Sequence, residues 1–251
     1  MLEDVRGNIV CASFTPNGKQ IISGNKDGTL RVWDWDLGIE LARMEGHESS
    51  ILSVVVSPNG TRIGSVSTQG MIKVWDSETW TEVFNVNTDG GPVNCIAFSP
   101  DANTLIGGCS SQIKSWNISS GREGWSINAN HNSILCIAIS PDGKTFVTGD
   151  AWNWVRLWDA NTGKELGLFD EHSDGISSVA FSPNGKYIVS GSEDRTVRIW
   201  YPTTGVGGMS GAVFRGHGYP VRGISFSNGG ERIVSYEARR LISWSADAEP
   251  G

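Results

Sequence analysis

Val179-Ala180-Phe181-Ser182-Pro183-Asn184-Gly185 is a short apolar strand running into a Pro-Asn-Gly turn, and the chain keeps returning to it. The same signature appears at Ala12-Ser13-Phe14-Thr15-Pro16-Asn17-Gly18, Val54-Val55-Val56-Ser57-Pro58-Asn59-Gly60 and Ile137-Ala138-Ile139-Ser140-Pro141-Asp142-Gly143. Ile96-Ala97-Phe98-Ser99-Pro100-Asp101 is a fifth copy, and Ile224-Ser225-Phe226-Ser227-Asn228-Gly229-Gly230 is a degraded sixth. A second marker keeps step with the first. Each copy is followed by a tryptophan, at Trp33, Trp75, Trp116, Trp158, Trp200 and Trp244, with spacings of 42, 41, 42, 42 and 44 residues. Two independent markers with one period define a tandem array of six units.

Each unit reads as four strands. The first ends at the proline, where Pro-Asn-Gly or Pro-Asp-Gly turns the chain. Lys186-Tyr187-Ile188-Val189-Ser190-Gly191 exemplifies the second and Thr196-Val197-Arg198-Ile199-Trp200, with the strand period of two, the third. Thr162-Gly163-Lys164-Glu165-Leu166-Gly167-Leu168-Phe169 shows the turn into a fourth. A lone sheet of this size cannot bury both faces, whereas sheets stacked around an axis can. The expected fold is therefore an all-β β-propeller of six four-stranded blades, or six blades of a seven-bladed array. The repeats fall at about 7–46, 47–88, 89–129, 130–170, 171–215 and 216–251, within a single domain spanning 1–251.

Composition narrows the function. The chain has 251 residues, 38% of them hydrophobic, with 32 Gly and 11 Trp. A net charge of −7 argues against a broad footprint on nucleic acid or an anionic membrane surface. No basic region followed by an apolar stretch opens the chain, and no apolar run reaches bilayer length. The expected setting is the cytoplasm, with the nucleus open. None of Cys11, Cys95, Cys109 and Cys136 forms a Cys-x-x-Cys pair. Three of them stand five residues before a repeat proline, where other units carry Ser53 or Ser178, so they read as reduced structural thiols. Asn117-Ile118-Ser119 fits a glycosylation sequon, which carries no weight without secretion.

Over nearly its whole length the chain resembles WD40-repeat proteins. Trp33-Asp34, Trp75-Asp76 and Trp158-Asp159 supply the dipeptide, and Gly46-His47 and Gly216-His217 the Gly-His that precedes a first strand; His131 and His172 stand there without the glycine. The resemblance implies that residues 2–6 complete the last blade as its outer strand, because no fourth strand follows Trp244. It also implies a structural hydrogen-bond network of His, Ser, Asp and Trp. Only the fifth repeat carries the full set, His172, Ser190, Asp194 and Trp200. Some relatives of this type recruit a cullin adaptor through an Arg two residues after Trp-Asp; Asp36, Glu78 and Asn161 stand there instead.

The expected function is a non-catalytic scaffold or adaptor that binds protein or peptide partners on one face, as a monomer or a subunit of a complex. Two alternatives are a propeller enzyme and a sensor or closing module of a larger multidomain protein. The His172, Ser190 and Asp194 residue types match a hydrolase triad, but they belong to a decaying structural theme rather than a single site. Gly143-Lys144-Thr145 lacks the upstream glycine of a phosphate loop and lies between strands. No catalytic residue, metal ligand or cofactor is expected. Loops between second and third strands, with those leading into first strands, share one face in the resembled family. Those of the last three repeats depart most from the pattern: Asp150, Trp152 and Asn153, then Glu193 and Arg195, then Tyr219, Tyr236 and Arg239. These are the expected partner contacts. Trp35, Trp80 and Trp125 lie in or near fourth strands and read as packing residues.

Overall fold

The computed structural model describes residues 9–88, 91–110, 112–129, 133–202, 209–227 and 229–246. Every regular element among them is a strand, and each sheet is a purely antiparallel meander in chain order. These are the blades of a β-propeller. Blade 1 comprises Ile9–Phe14, Gln20–Asn25, Leu30–Asp34 and Glu40–Met44; blade 2, Ile51–Val56, Arg62–Ser67, Met71–Asp76 and Glu82–Asn87. Blade 3 comprises Val93–Phe98, Thr104–Cys109, Gln112–Asn117 and Arg122–Asn128; blade 4, Ile134–Ile139, Thr145–Asp150, Val155–Asp159 and Glu165–Phe169. Blade 5 comprises Ile176–Phe181, Ile188–Ser192, Thr196–Tyr201 and Met209–Arg215, and blade 6 the three strands Gly223–Phe226, Arg232–Tyr236 and Leu241–Ser245. The strand expected from residues 2–6 lies outside the described residues, as does His131. No helix is long and apolar enough to cross a membrane.

The chain divides into two compact units, residues 1–126 and 127–251. In each unit the core lies between sheets rather than within one. In the first unit, Ile22, Leu30, Val32 and Met44 of blade 1 are buried with Ile51, Val54, Ile63 and Trp75 of blade 2, and Val66, Ile72, Val74 and Phe84 of blade 2 are buried with Val93, Ile96, Leu105 and Trp116 of blade 3. In the second unit, Val147, Val155, Leu157 and Phe169 of blade 4 meet Ile176, Val179, Ile188 and Trp200 of blade 5. Val189, Val197 and Ile199 of blade 5 then meet Val221 and Ile233 of blade 6.

Small residues on the second strand let neighbouring sheets close. A Cβ built on Gly149 would lie 2.4 Å from Cγ2 of Ile176, on the next blade, and 2.7 Å from Sγ of Cys136. Gly24 meets Ile51 and Gly191 meets Val221 in the same way, at 2.6 Å each. Cys11 and Cys136 fill the adjoining niche. All four cysteines are free thiols, and burial pushes the Cys11 thiol up to about 11 and that of Cys95 to about 12.

Substituting Gly149 with Val should therefore force two blades apart. The expected loss is about 1–3 kcal/mol, as for other overpacked cores. Gly167→Ala, where nothing lies within 4 Å of the new carbon, should leave stability unchanged or raise it. Urea unfolding midpoints of the two variants check both outcomes.

Candidate functional site

The fifth-blade network is closed and buried. His172 Nε2 lies 2.7 Å from Ser190 Oγ and His172 Nδ1 2.7 Å from Asp194 Oδ2. The indole N–H of Trp200 donates to the same Ser190 oxygen at 2.8 Å. Burial works to raise the Asp194 carboxyl, but hydrogen bonds from His172 and Thr196 outweigh it and hold the group below the usual carboxylate range. The order His, Ser, Asp imitates a hydrolase, yet Ser190 is 0% exposed and its oxygen is already engaged twice. An acyl carbon would have to approach that oxygen to within about 3–3.5 Å. The arrangement ties the second and third strands to the loop ahead of the first.

Partial sets sit in the other blades. Trp33, Trp75, Trp158 and Trp244 donate to Ser23, Ser65, Thr148 and Ser235 at 2.7–3.0 Å. Blade 6 carries a variant of the set with glutamate in place of aspartate. In blade 6, His217 Nε2 lies 2.6 Å from Ser235 Oγ, and its Nδ1 is 3.3 Å from Glu237 Oε2, short of hydrogen-bond geometry. Ala238 stands six residues before Trp244, where blade 5 has Asp194; the one-residue shorter hairpin and longer glutamate side chain bring a carboxylate from Glu237 instead. Blade 3 has Gly107 at the hydroxyl position, and the buried Trp116 indole N–H has no partner among the described residues. A charge ladder also escaped the sequence reading. Arg31, Lys73, Lys114 and Arg156, each two residues before the strand Trp, pair with Glu40, Glu82, Glu123 and Glu165, each seven after it, at 2.5–3.7 Å. That fixed offset from the tryptophan was the available signal.

The expected partner contacts occupy the upper loops of blades 4, 5 and 6. Trp152 is 64% exposed, at the tip of the hairpin between the second and third strands of blade 4. It lies 6.3 Å from the Trp154 ring, over which the Arg156 guanidinium sits at 4.7 Å. Asp150 requires a correction. It is 2% exposed, and its Oδ1 accepts the backbone N–H groups of Trp152 and Trp154 at 2.9 and 3.0 Å. A carboxylate spent on its own turn shapes the loop and offers nothing to a partner. Asn153, in a left-handed conformation at φ 87°, donates Nδ2 to the carbonyl of His172 at 2.5 Å and so joins the blade 4 loop to blade 5. Arg195 takes the same backbone position at φ 70°, where blades 1 and 2 use Gly28 and Gly70. Glu193 is exposed and 3.9 Å from Arg222. Tyr219 and Tyr236 are exposed, and Arg239 lies over the Tyr219 ring at 5.5 Å. The structure thus unites Tyr219 with Arg239 and leaves Glu193 and Trp152 in separate loops. Trp35 is a second correction. It is 54% exposed and packs edge-on against the equally exposed Phe14, because its strand ends at Asp34 and the ring follows on the outer surface.

Protein-family comparison matches the model "WD domain, G-beta repeat" to residues 3–34, 38–76, 80–117, 123–159 and 163–201, well over half the chain. Among curated proteins, the nuclear distribution protein PAC1 of Coccidioides posadasii (strain C735) is 41% identical over 54 residues, 21% of this chain and 11% of that protein. PAC1 of Ajellomyces capsulatus (strain H143) and nuclear distribution protein nudF 1 of Talaromyces marneffei are each 38% identical over 53 residues, 21% of this chain and 12% of theirs. The matched segment spans about a tenth of these relatives.

Blades 2 and 5 differ at the carboxylate position, and that difference is testable. In blade 2, His47 Nε2 contacts Ser65 at 2.7 Å, but Nδ1 has no partner among the described residues, since Gln69 stands where Asp194 stands in blade 5. Burial, with the Lys73 charge second, pushes the imidazole down to about 4. The unfolded chain therefore binds a proton near pH 6.5 that the folded chain refuses until about pH 4. Stability should rise with pH across that window, and His47→Gln should flatten the rise in urea titrations. Gln69→Asp should supply the missing acceptor and stabilise by about 1 kcal/mol at neutral pH. His172→Ala or Asp194→Ala should instead cost about 1–3 kcal/mol.

Proposed function

We propose that this chain, which belongs to the WD40 family of G-beta repeats, is a non-catalytic platform that holds a protein or peptide partner on the upper loops of blades 4 to 6. One observation carries the reading: a tryptophan 64% exposed on a hairpin whose backbone is fixed by Asp150 and tied to blade 5 by Asn153. An indole that large gains little from water, and a fixed one loses little entropy when a partner covers it. Propellers of this family generally bind proteins, and the sealed Ser190 argues for binding rather than hydrolysis. The free thiols accord with a reducing, cytoplasmic setting.

Arg195 adds a second, independent support. A non-glycine residue in the left-handed region costs about 1–2 kcal/mol, and glycine fills this place in blades 1 and 2. Retaining an exposed arginine there favours a gain elsewhere, and a guanidinium at the rim of a binding surface is such a gain.

Two variants test this. Trp152→Ala should leave the urea midpoint in place and weaken partner capture at least about tenfold. If it unfolds the blade instead, the ring is packing and the face loses its anchor. Arg195→Gly should move the two properties in opposite directions, raising stability by about 1 kcal/mol while weakening capture. Quantitative co-precipitation beside denaturant titration reads both.

A further inference from the structure

The partner face is electrically lopsided. Around blades 4 and 5 the loops carry Asp170, Glu171, Asp174 and Glu193, with Arg195 as the exposed cation among them and Glu171 paired to Arg198 at 2.6 Å. At blade 6, residues 215–222 and 236–240 hold Arg215, Arg222, Arg239 and Arg240 against Glu237 alone, a formal charge of +3 in a chain of −7. All four arginines are exposed. Glu237 is buried and engaged inward: Oε2 accepts the backbone N–H of Tyr219 at 2.7 Å and faces His217. Its charge therefore fixes the loop and leaves the guanidiniums uncompensated. Glu193 stands 3.9 Å from Arg222, and both are exposed, an arrangement worth about 0–1 kcal/mol that a better carboxylate would displace.

The cations are also held in place. Arg239 lies over the ring of Tyr219, itself about half exposed, and Arg240 donates to the Gly216 carbonyl at 3.1 Å. Tyr236, on the same blade, presents a second half-exposed ring, packed so closely that a Cβ on Gly223 would lie 2.4 Å from it. Arginines set on rigid aromatic rings bind carboxylates bidentately at reduced entropic cost.

We propose that the upper rim of blade 6 binds an acidic peptide segment of the partner, its carboxylates on Arg239, Arg240 and Arg222 and its backbone against Tyr219 and Tyr236. The proposal rests on the partner-binding reading of this face and adds the partner's chemistry and direction. The acidic stretch seats at blade 6, because the carboxylates around blades 4 and 5 repel it. A nucleic acid duplex fits less well. The basic strip is one blade wide, and a uniform polyanion would meet the acidic loops within about one to two Debye lengths of about 8 Å.

The test uses the full chain and a fluorescein-labelled dodecapeptide of alternating Glu and Ser, read by anisotropy, with a Lys-Ser counterpart and a short DNA duplex as comparators. The Glu-Ser peptide should bind, weaken as NaCl rises from about 50 to about 300 mM, and weaken at least about tenfold against Arg239→Glu/Arg240→Glu. Arg239→Gln/Arg240→Gln, which removes the charge without reversing it, should weaken it less, and circular dichroism should show both variants folded. Equal binding of the Lys-Ser peptide, tighter binding of DNA, or indifference to both arginine variants would overturn the proposal. Partner capture separates the two readings. Capture that needs Trp152 but survives Arg239→Glu/Arg240→Glu keeps the platform and removes the acidic segment. Arginine-dependent peptide binding with capture indifferent to Trp152→Ala keeps the acidic site and removes the anchor.

Discussion

One sheet of this protein cannot stand without the next. Each buried cluster draws its side chains from two consecutive blades, so the hydrophobic free energy that offsets chain entropy resides in the gap between sheets. The gap can be narrow only where the second strand is small. Gly24, Gly149 and Gly191 stand where the following blade's Ile51, Ile176 and Val221 press hardest. The hydrogen-bonded Trp and Ser pairs then pin the third strand to the second, which keeps the packed faces in register from blade to blade.

Much of this was legible in the sequence, because its causes are local. The Pro-Asn-Gly turns and the strand tryptophans repeat within each unit, and periodicity makes such markers visible. The fifth-repeat network was legible for the same reason, with His172, Ser190 and Asp194 at the family's spacing. Its blade 6 counterpart was not, since a single-residue deletion moved the carboxylate to Glu237 and lengthened it. The Arg/Lys and Glu ladder was missed although its offsets are fixed, because the partners lie on different strands and pair only after the hairpin closes. Asp150 was misjudged because a carboxylate beside an exposed aromatic looks like a contact, and only the backbone geometry shows that the turn has consumed it.

The candidate surface arises where the repeat has lapsed. Trp152 occupies a position that blade 5 gives to a carboxylate, and Arg195 one that blades 1 and 2 give to glycine. Neither choice helps the blade that bears it. The framework tolerates both because its stabilising contacts lie below, between the sheets, while the loops need only close. On blades 4 and 5 these lapses put large exposed side chains in the loops and give that face its character.

Because each core cluster couples only adjacent blades, the unit of change is the whole repeat. A damaged blade weakens its own two contacts and leaves more distant ones intact, as in other quasi-one-dimensional arrays. Duplicating or losing a segment of about 42 residues preserves the form of every remaining contact. An insertion inside the segment between turn and tryptophan breaks their step, whereas one in a loop between repeats leaves it intact. Length variation in such a chain should therefore come in quanta, and the 44-residue interval before Trp244 marks where an extra two residues had to be absorbed by loops.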